Sequence, residues 1–244
     1  MDHRVSLLIE AEKDALILAL QGGIARLDLN TAEIDWLTAI EQEIPANRTN
    51  DGACDSAGRL WVGTMDLDCK EGAGSLYCID KGIATKKIDQ LSIPNGIVWS
   101  HNNERLYHID SPSFKVASYL FDSATGAIKK DKTIVVIPEE MGMPDGMTVD
   151  SEGMLWIAHW GGFGISQWNP ANGKLLNRIS VPAPNVTSCT FGGDNLDQLF
   201  ITTARQHLSE EELNKYPGSG GIFIVQPGVS GKPANKFGVV SRES

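Results

Sequence analysis

The 244-residue sequence is poor in cysteine, in basic side chains and in long apolar runs. Its four cysteines form neither a C-x-x-C pair nor the dense spacing of a disulfide-rich protein. This predicts reduced, mostly buried thiols and a cytoplasmic protein. With 31 acidic against 21 basic residues, the formal charge is −10, which argues against binding nucleic acid through bulk charge. Acids interrupt the N-terminal apolar stretch, so neither a signal peptide nor a membrane span is predicted.

Motifs of several enzyme classes are also missing. The sequence has no G-x-S-x-G nucleophile elbow, no H-E-x-x-H zinc motif, no phosphate loop and no dinucleotide fingerprint. His101, His108, His159 and His207 share no ligand spacing, and we expect His159 to be packed rather than to assist chemistry. Serine hydrolase, zinc peptidase and nucleotide-dependent chemistry therefore have no support.

One pattern does recur along the chain: a polar tripeptide, a short apolar run, a turn, and then leucine followed by an aromatic or aliphatic residue. The marker leucines are Leu60, Leu106, Leu155, Leu199 and, in a degenerate first copy, Leu16. From Leu60 onwards they are 46, 49 and 44 residues apart. A period in the forties, with about four short β-rich runs per period, is typical of a β-propeller.

We therefore predict an all-β fold, a β-propeller with about five blades visible, in a single domain over residues 1–244. The fifth repeat holds only three strand-like runs, and no closing strand is evident from the other terminus. An open propeller edge is a liability for self-association, so we expect a tendency to self-associate there. The single predicted helix is LSEEELNKY, where Ser209 and Glu212 form a capping-box pattern.

Three repeats place an oxygen-bearing side chain just before their innermost strand: Asn50, Asn95 and Asp145, with Thr187 in a fainter fourth copy. In a propeller these positions surround one mouth of the central channel, so the side chains would converge on one point. Such a set suits Ca²⁺, Mg²⁺ or Mn²⁺, and Zn²⁺ at high concentration. The alternative interpretation is that Asn-Gly and Asp-Gly are turn dipeptides that tolerate left-handed backbone angles.

Several segments carry a specific resemblance to a known family: RTNDGACDSAGRLWVGTM, PNGIVWS with RLYHIDS, PDGMTVDSEGMLWIAHWGG, TSCTFGGDNLDQLFITTAR and GGIFIVQPGVSG. They closely resemble the SMP-30/gluconolactonase/LRE family, and the resemblance runs from about Val5 to the C-terminus. It implies a six-bladed propeller that carries one divalent metal ion (Ca²⁺, Zn²⁺, Mg²⁺ or Mn²⁺) at the channel mouth. It also implies divalent-metal-dependent hydrolysis of sugar lactones such as gluconolactone.

The resemblance assigns roles to five residues. Asn95 and Asp145 match metal ligands, and Asp145 also matches the group that accepts and donates the proton. Arg48, Asn50 and Asp68 match substrate-contacting positions. The sequence around Asp68 departs from the family, so a solvated loop acid is an equal interpretation; for Arg48 the alternative is a surface ion pair.

The chain lacks one feature of the family, a glutamate ligand in an E-[GS]-P motif of an earlier segment. Glu10 and Glu12 are the nearest acids, but we expect them at the end of a strand and in the following turn. Asp145 is then the one anionic ligand, and a site with a single negative charge should hold a divalent ion weakly. The alternative function is a non-catalytic propeller that binds metal or small molecules, a truncated homologue that has lost hydrolysis.

Overall fold

The structure, a computed structural model, describes residues 4–11 and 14–238. Within these ranges the chain forms nineteen β-strands and one short α-helix, which confirms the all-β class. The strands make five sheets, and in each sheet they are neighbours in chain order, as in a propeller blade. The five predicted blades are confirmed. The sixth blade, the single domain, self-association and a cytoplasmic location stay predictions.

The first sheet contains β1 (Val5–Glu10), β2 (Ala15–Leu20), β3 (Gly23–Asp28) and β4 (Ile34–Ala39). The second contains β5 (Asn47–Cys54), β6 (Leu60–Asp66), β7 (Gly74–Asp80) and β8 (Ile83–Leu91). The third contains β9 (Pro94–Trp99), β10 (Arg105–Asp110), β11 (Lys115–Asp122) and β12 (Ala127–Val136). The fourth contains β13 (Met143–Val149), β14 (Leu155–Trp160), β15 (Gly164–Asn169) and β16 (Lys174–Ser180). The fifth contains β17 (Asn185–Gly192), β18 (Gln198–Ala204) and β19 (Ile222–Val225).

The described residues divide into two compact units. One consists of those within Met1–Asn95, Leu120–Lys129 and Ala234–Ser244, and the other of Gly96–Tyr119 and Lys130–Pro233. The first two sheets thus belong to the first unit and the last two to the second. The boundary runs through the third sheet.

Four of the marker leucines hold one register position in the second strand of their sheets. Leu60 lies opposite Cys54 and Leu155 opposite Val149, as the degenerate Leu16 lies opposite Glu10. The four regular markers are fully buried, whereas Leu16 is half-buried. The register therefore confirms the repeat, including its first copy.

Consecutive buried residues show that a sheet is covered on both faces. In β14, Leu155 packs in a cluster with Ile109 of the third sheet, while Trp156 packs with Val186 and Phe191 of the fifth. Successive strand residues point to opposite faces, so a Leu-Trp pair can be buried only when each face has a neighbour. The apolar Leu-aromatic signature is thus the sequence mark of stacked sheets.

The predicted helix is confirmed as α1 (Glu210–Lys215), with a capping box at its start. The Ser209 hydroxyl accepts the Glu212 backbone N–H (3.2 Å), and the Glu212 carboxylate accepts the Ser209 N–H (2.8 Å). In the ranges that the structure covers, no helix is long and apolar enough to cross a membrane. All four cysteines are free thiols, three of them buried.

Candidate active site

The predicted ligand positions lie inside the first strand of their sheets, not before it as we expected. The antiparallel register shifts between Thr49 and Gly52 in β5, between Pro144 and Met147 in β13, and between Val186 and Ser188 in β17. Asn50, Asp145 and Thr187 therefore occupy β-bulges, which redirect side chains and are common beside active sites. The sequence singled out these residues but not their place in the strand, because a bulge depends on the partner strand.

A fourth member of this set was missed by the sequence analysis. In β1 the register shifts between Val5 and Leu7, so Ser6 holds in the first sheet the place that Asn50 holds in the second. Its Oγ lies 2.8 Å from Thr49 Oγ1. The sequence around Ser6 has no Asn-Gly or Asp-Gly pair, and only the strand register reveals the equivalence.

The glycines that follow the candidate ligands are not turn residues. Gly52, Gly96 and Gly146 lie in strands, and none has a positive φ. A Cβ on Gly96 would lie 2.5 Å from the Cβ of Met147, and one on Gly146 would lie 2.4 Å from Ser188 Oγ. Close approach of the neighbouring first strand therefore requires glycine here, and the turn-dipeptide interpretation is wrong.

Three of the five predicted site residues are linked by hydrogen bonds in the first unit. Arg48 Nη1 donates to Asn50 Oδ1 (2.8 Å) and to the carbonyl oxygen of Thr49 (2.9 Å). Asn50 Nδ2 donates to the carbonyl oxygen of Pro94 (2.9 Å) and to Asn95 Oδ1 (3.2 Å). Asn95 is buried at 8% exposure, whereas Arg48 and Asn50 are half-buried.

Asp145 belongs to the second unit, where it is half-buried at the bulge of β13. Its backbone packs against Gly96, since a Cβ on Gly96 would lie 2.9 Å from the Asp145 carbonyl oxygen. Gly96 directly follows Asn95 in the chain. Asn95 lies on β9 and Asp145 on β13.

The fifth predicted residue, Asp68, is exposed in the turn after β6, where its backbone N–H donates to Asp66 Oδ1 (2.8 Å). A different acid, Asp51, lies beside Asn50 and was not singled out from the sequence. It is half-buried and accepts the Gly52 N–H (2.8 Å), and burial raises the pKa of Asp51 to about 6. The second residue of the N-D-G motif was the available signal.

His159 is packed, as expected. Its Nε2 lies 2.6 Å from Ser166 Oγ, and Trp168 Nε1 also donates to that oxygen (2.6 Å). His159 Nδ1 faces the carbonyl oxygen of Gly142 (3.4 Å), which can only accept, so Nδ1 carries the proton of the neutral ring and Nε2 accepts the Ser166 hydroxyl. Burial lowers the pKa of His159 to about 4, so the ring is neutral at ordinary pH.

The residues present fit a hard divalent cation with few charges around it. Across residues 4–11 and 14–238 there is no group of three or more His, Cys, Asp or Glu that could hold a metal. The Asn95 carboxamide oxygen and the Asp145 carboxylate are oxygen donors of the kind that Ca²⁺, Mg²⁺ and Mn²⁺ prefer. Glu10 ends β1 as expected and pairs with Lys236 (2.6 Å); Glu12 lies outside the described residues.

Comparison with known proteins gives a consistent result. The sequence profile described as the SMP-30/Gluconolactonase/LRE-like region matches residues 1–205. A Bacillus subtilis protein, provisionally named the sugar lactone lactonase YvrE, is 35% identical over 91% of this chain and 76% of its own length. Rabbit (Oryctolagus cuniculus) regucalcin is 33% identical over 97% of this chain and 82% of its own.

A solved structure shows the same fold. The crystal structure of regucalcin from Agrobacterium tumefaciens, described as a calcium-binding protein, superimposes with a TM-score of 0.93 at 28% identity. The match covers 97% of this chain and 80% of that protein. The fold described above is therefore shared with a protein of known structure.

Proposed function

Because the chain belongs to the SMP-30/gluconolactonase/LRE-like family, we propose that it hydrolyses sugar lactones with a divalent cation held by Asn95 and Asp145. The observation that carries the proposal is the hydrogen-bonded set of Arg48, Asn50 and Asn95, in which Asn50 occupies a bulge that recurs at Asp145. The name of the Bacillus subtilis relative supports the substrate class, and the regucalcin relative described as calcium-binding supports a divalent ion.

The cation would polarise the lactone carbonyl when bound. Ca²⁺, Mg²⁺ or Mn²⁺ suits the two oxygen donors best, and Zn²⁺ is a further candidate because it also binds carboxylate oxygen. Asn95 contributes a neutral oxygen and Asp145 the one negative charge of this pair.

Asp145 serves as general base and then as general acid. It takes a proton from a water molecule as the water oxygen bonds to the carbonyl carbon. When the ring C–O bond breaks, Asp145 returns that proton to the leaving ring oxygen, and the product is the open hydroxy acid. A carboxylate beside a cation has little intrinsic basicity, so its placement matters more than its affinity for protons.

Arg48, Asn50 and Asp68 orient the sugar. Arg48 offers a planar set of donors to hydroxyl oxygens. Asn50 has both N–H groups engaged and contacts a hydroxyl only as an acceptor, through Oδ1. Asp68, exposed in its turn, accepts a hydroxyl from the rim of the site.

Initial rates of glucono-δ-lactone and aldonolactone hydrolysis test the proposal, measured after chelation and after re-addition of each of the four metals. We expect metal-restored activity, and Asp145→Asn should lower it at least about 100-fold, the usual contribution of a general base. Asp35→Asn, an exposed acid of β4, is the matched control and should leave the rate unchanged.

A second candidate function is binding of metal or a small molecule without hydrolysis. The observation that favours it is the scarcity of charge, since Asp145 is the one carboxylate of the proposed ligand pair. Calorimetric binding of Ca²⁺ or of a sugar acid, together with a metal-independent rate equal in the parent and Asp145→Asn proteins, would favour this function over lactone hydrolysis.

A further inference from the structure

We infer that Arg48, acting through Asn50, orients the carboxamide of Asn95 so that its oxygen, not its nitrogen, is presented to the site. We call Arg48 and Asn50 the orientation relay. They act as positioning residues, in addition to any contact with substrate. What the Asn95 oxygen then binds rests on the proposed function, but the relay itself rests on the hydrogen bonds alone.

The first step is set by Arg48, because a guanidinium has only donors. Its Nη1 lies 2.8 Å from the Asn50 side chain, so the Asn50 atom it meets must be the oxygen Oδ1. The same nitrogen also donates to the Thr49 carbonyl (2.9 Å), which braces the guanidinium against β5. The donors of Arg48, together with the Pro94 carbonyl, therefore fix which end of the Asn50 amide carries the nitrogen.

The second step passes this orientation to Asn95. With its oxygen turned to Arg48, Asn50 points its NH₂ group at two atoms, the Pro94 carbonyl oxygen (2.9 Å) and the Asn95 side chain (3.2 Å). The carbonyl can only accept, which agrees with the assignment. Asn95 must then present Oδ1, because two NH₂ groups facing each other would form no hydrogen bond.

The relay gives Asn50 a use for each of its amide protons. Both N–H groups are engaged within the protein, so none is left to donate to a sugar hydroxyl, and one lone pair of Oδ1 remains. Asn95 is buried at 8% exposure, which leaves little water to compete for its oxygen. A flipped Asn95 would offer N–H groups to a cation, and these repel it.

Charge alone leads to the opposite expectation for Arg48. A cationic side chain two hydrogen bonds from a cation site weakens metal binding by repulsion, so removing its charge should tighten binding. The relay predicts weaker binding, because residues that orient metal ligands typically change affinity 10–100-fold. The sign of the change therefore separates the two accounts.

The test compares the parent with Arg48→Met, which keeps an unbranched aliphatic stem and removes every donor. In the metal-free protein, the side-chain NH₂ resonances of Asn50 and Asn95 should move in the nitrogen–proton NMR spectrum. The dissociation constant for Ca²⁺, measured by calorimetry, should rise at least about tenfold. Arg48→Lys restores one donor and should return the Ca²⁺ constant to near the parent value.

Arg26→Met is the matched control, since it removes the same charge from a half-exposed arginine of the first sheet. It should leave both the Asn95 resonances and Ca²⁺ binding unchanged. Should Arg48→Met fail to fold, Asn50→Ser breaks the link to Asn95 at its centre, and the same two changes are expected.

Two results would overturn the relay: unmoved Asn95 resonances in Arg48→Met, or Ca²⁺ binding that is equal or tighter. If the parent itself binds none of Ca²⁺, Mg²⁺, Mn²⁺ or Zn²⁺, the metal part of the proposed function fails. The spectra of the metal-free proteins then still decide the relay by themselves.

Discussion

Two turns of the molecule share the sequence D-S-x-G-x-L-W, but their buried aspartates receive one hydrogen bond from different kinds of donor. The second-sheet turn runs from Asp55 to Trp61, and the fourth-sheet turn from Asp150 to Trp156. Both aspartates are fully buried, and each accepts four hydrogen bonds. Three of the donors correspond: two backbone N–H groups within the turn, and the indole N–H of the tryptophan (2.9 Å to Asp55, 2.8 Å to Asp150).

The fourth donor differs. Asp55 receives it from the Arg59 guanidinium (Nε, 2.7 Å), a buried ion pair. Asp150 receives it from the neutral amide of Gln167 (2.8 Å), which lies opposite Trp156 on β15. At the place of Arg59, the fourth-sheet turn has Met154.

The charged donor, Arg59, also contacts residues outside its own sheet. Arg59 Nη2 donates to the carbonyl oxygen of Ser123 (2.6 Å), and its guanidinium lies 5.8 Å from the centre of the Phe121 ring. Gln167 keeps its bond to Asp150 within one sheet. Desolvation of a buried charge is costly. For Arg59 this cost is offset by the contacts that its guanidinium makes with the hairpin between β11 and β12.

The largest loss of stability is expected for Arg59→Met, which gives the second-sheet turn the methionine that the fourth-sheet turn has. Asp55 would keep three hydrogen bonds but would be a buried charge with no cationic partner, so the free energy of unfolding should fall by about 3–5 kcal/mol. Urea unfolding measures this. Arg105→Met is the control, because its ion pair with Asp131 is partly exposed and should contribute less than about 1 kcal/mol. Equal losses in the two variants would contradict the role given to burial.

A smaller loss of stability is expected from a substitution in the fourth-sheet turn. In Asp150→Asn the side-chain oxygen can still accept the two backbone N–H groups, and Gln167 can turn its own oxygen to the new NH₂. The Trp156 N–H then stays without an acceptor, which should cost about 1–3 kcal/mol. Chemical unfolding should place this loss below that of Arg59→Met. A larger loss would mean that the negative charge of Asp150 itself stabilises the fourth-sheet turn.

A double substitution tests whether the glutamine donor of the fourth-sheet turn can be transferred to the second-sheet turn. Cys78 lies opposite Trp61 on β7, as Gln167 lies opposite Trp156 on β15. Cys78→Gln added to Arg59→Met should therefore supply the missing fourth donor and recover about 1 kcal/mol. Cys78→Gln alone should destabilise, because Asp55 then has no acceptor site left and the core is overfilled. A double-mutant cycle gives the coupling, and additive losses would show that the two registers are not equivalent.

The turns also show how far sequence reasoning reaches. The repeat, the marker leucines, the strand order and the Ser209 capping box followed from local patterns, since period-two alternation and turn chemistry act between near neighbours. The fourth donor did not, because Gln167 meets Asp150 only across a strand pairing. The sequence predicts each strand better than it predicts what stands beside it.

The candidate site divides in the same way. Arg48, Asn50, Asn95 and Asp145 were found from motifs, and the family they resemble is confirmed. The bulges at Asn50 and Asp145 and the equivalence of Ser6 were not found, because a register shift is a property of two strands. The experiments above test the role assigned to each residue.

The smallest expected effect at neutral pH concerns the position two residues after the marker leucine. The second and fourth sheets carry Val62 and Ile157 there, whereas the third carries His108, which is buried at 2% exposure. Among the described residues its Nε2 has no hydrogen-bond partner. His108→Val should therefore change the free energy of unfolding at pH 7.5 by about 1 kcal/mol or less, in the stabilising direction.

Acid enlarges this difference. Burial alone lowers the pKa of His108 from 6.5 to about 4. Between these values the unfolded chain binds a proton that the folded chain does not, so stability falls as the pH drops from 6.5 towards 4, and it is unaffected above 6.5. At pH 5 this costs the parent about 2 kcal/mol, which His108→Val should regain. Urea unfolding at pH 7.5 and 5 measures it, with His207→Ala, an exposed histidine, as control. Because the parent keeps His159 as well, some acid sensitivity should remain in the variant, and an unchanged pH dependence would mean that His108 is protonated without loss of structure.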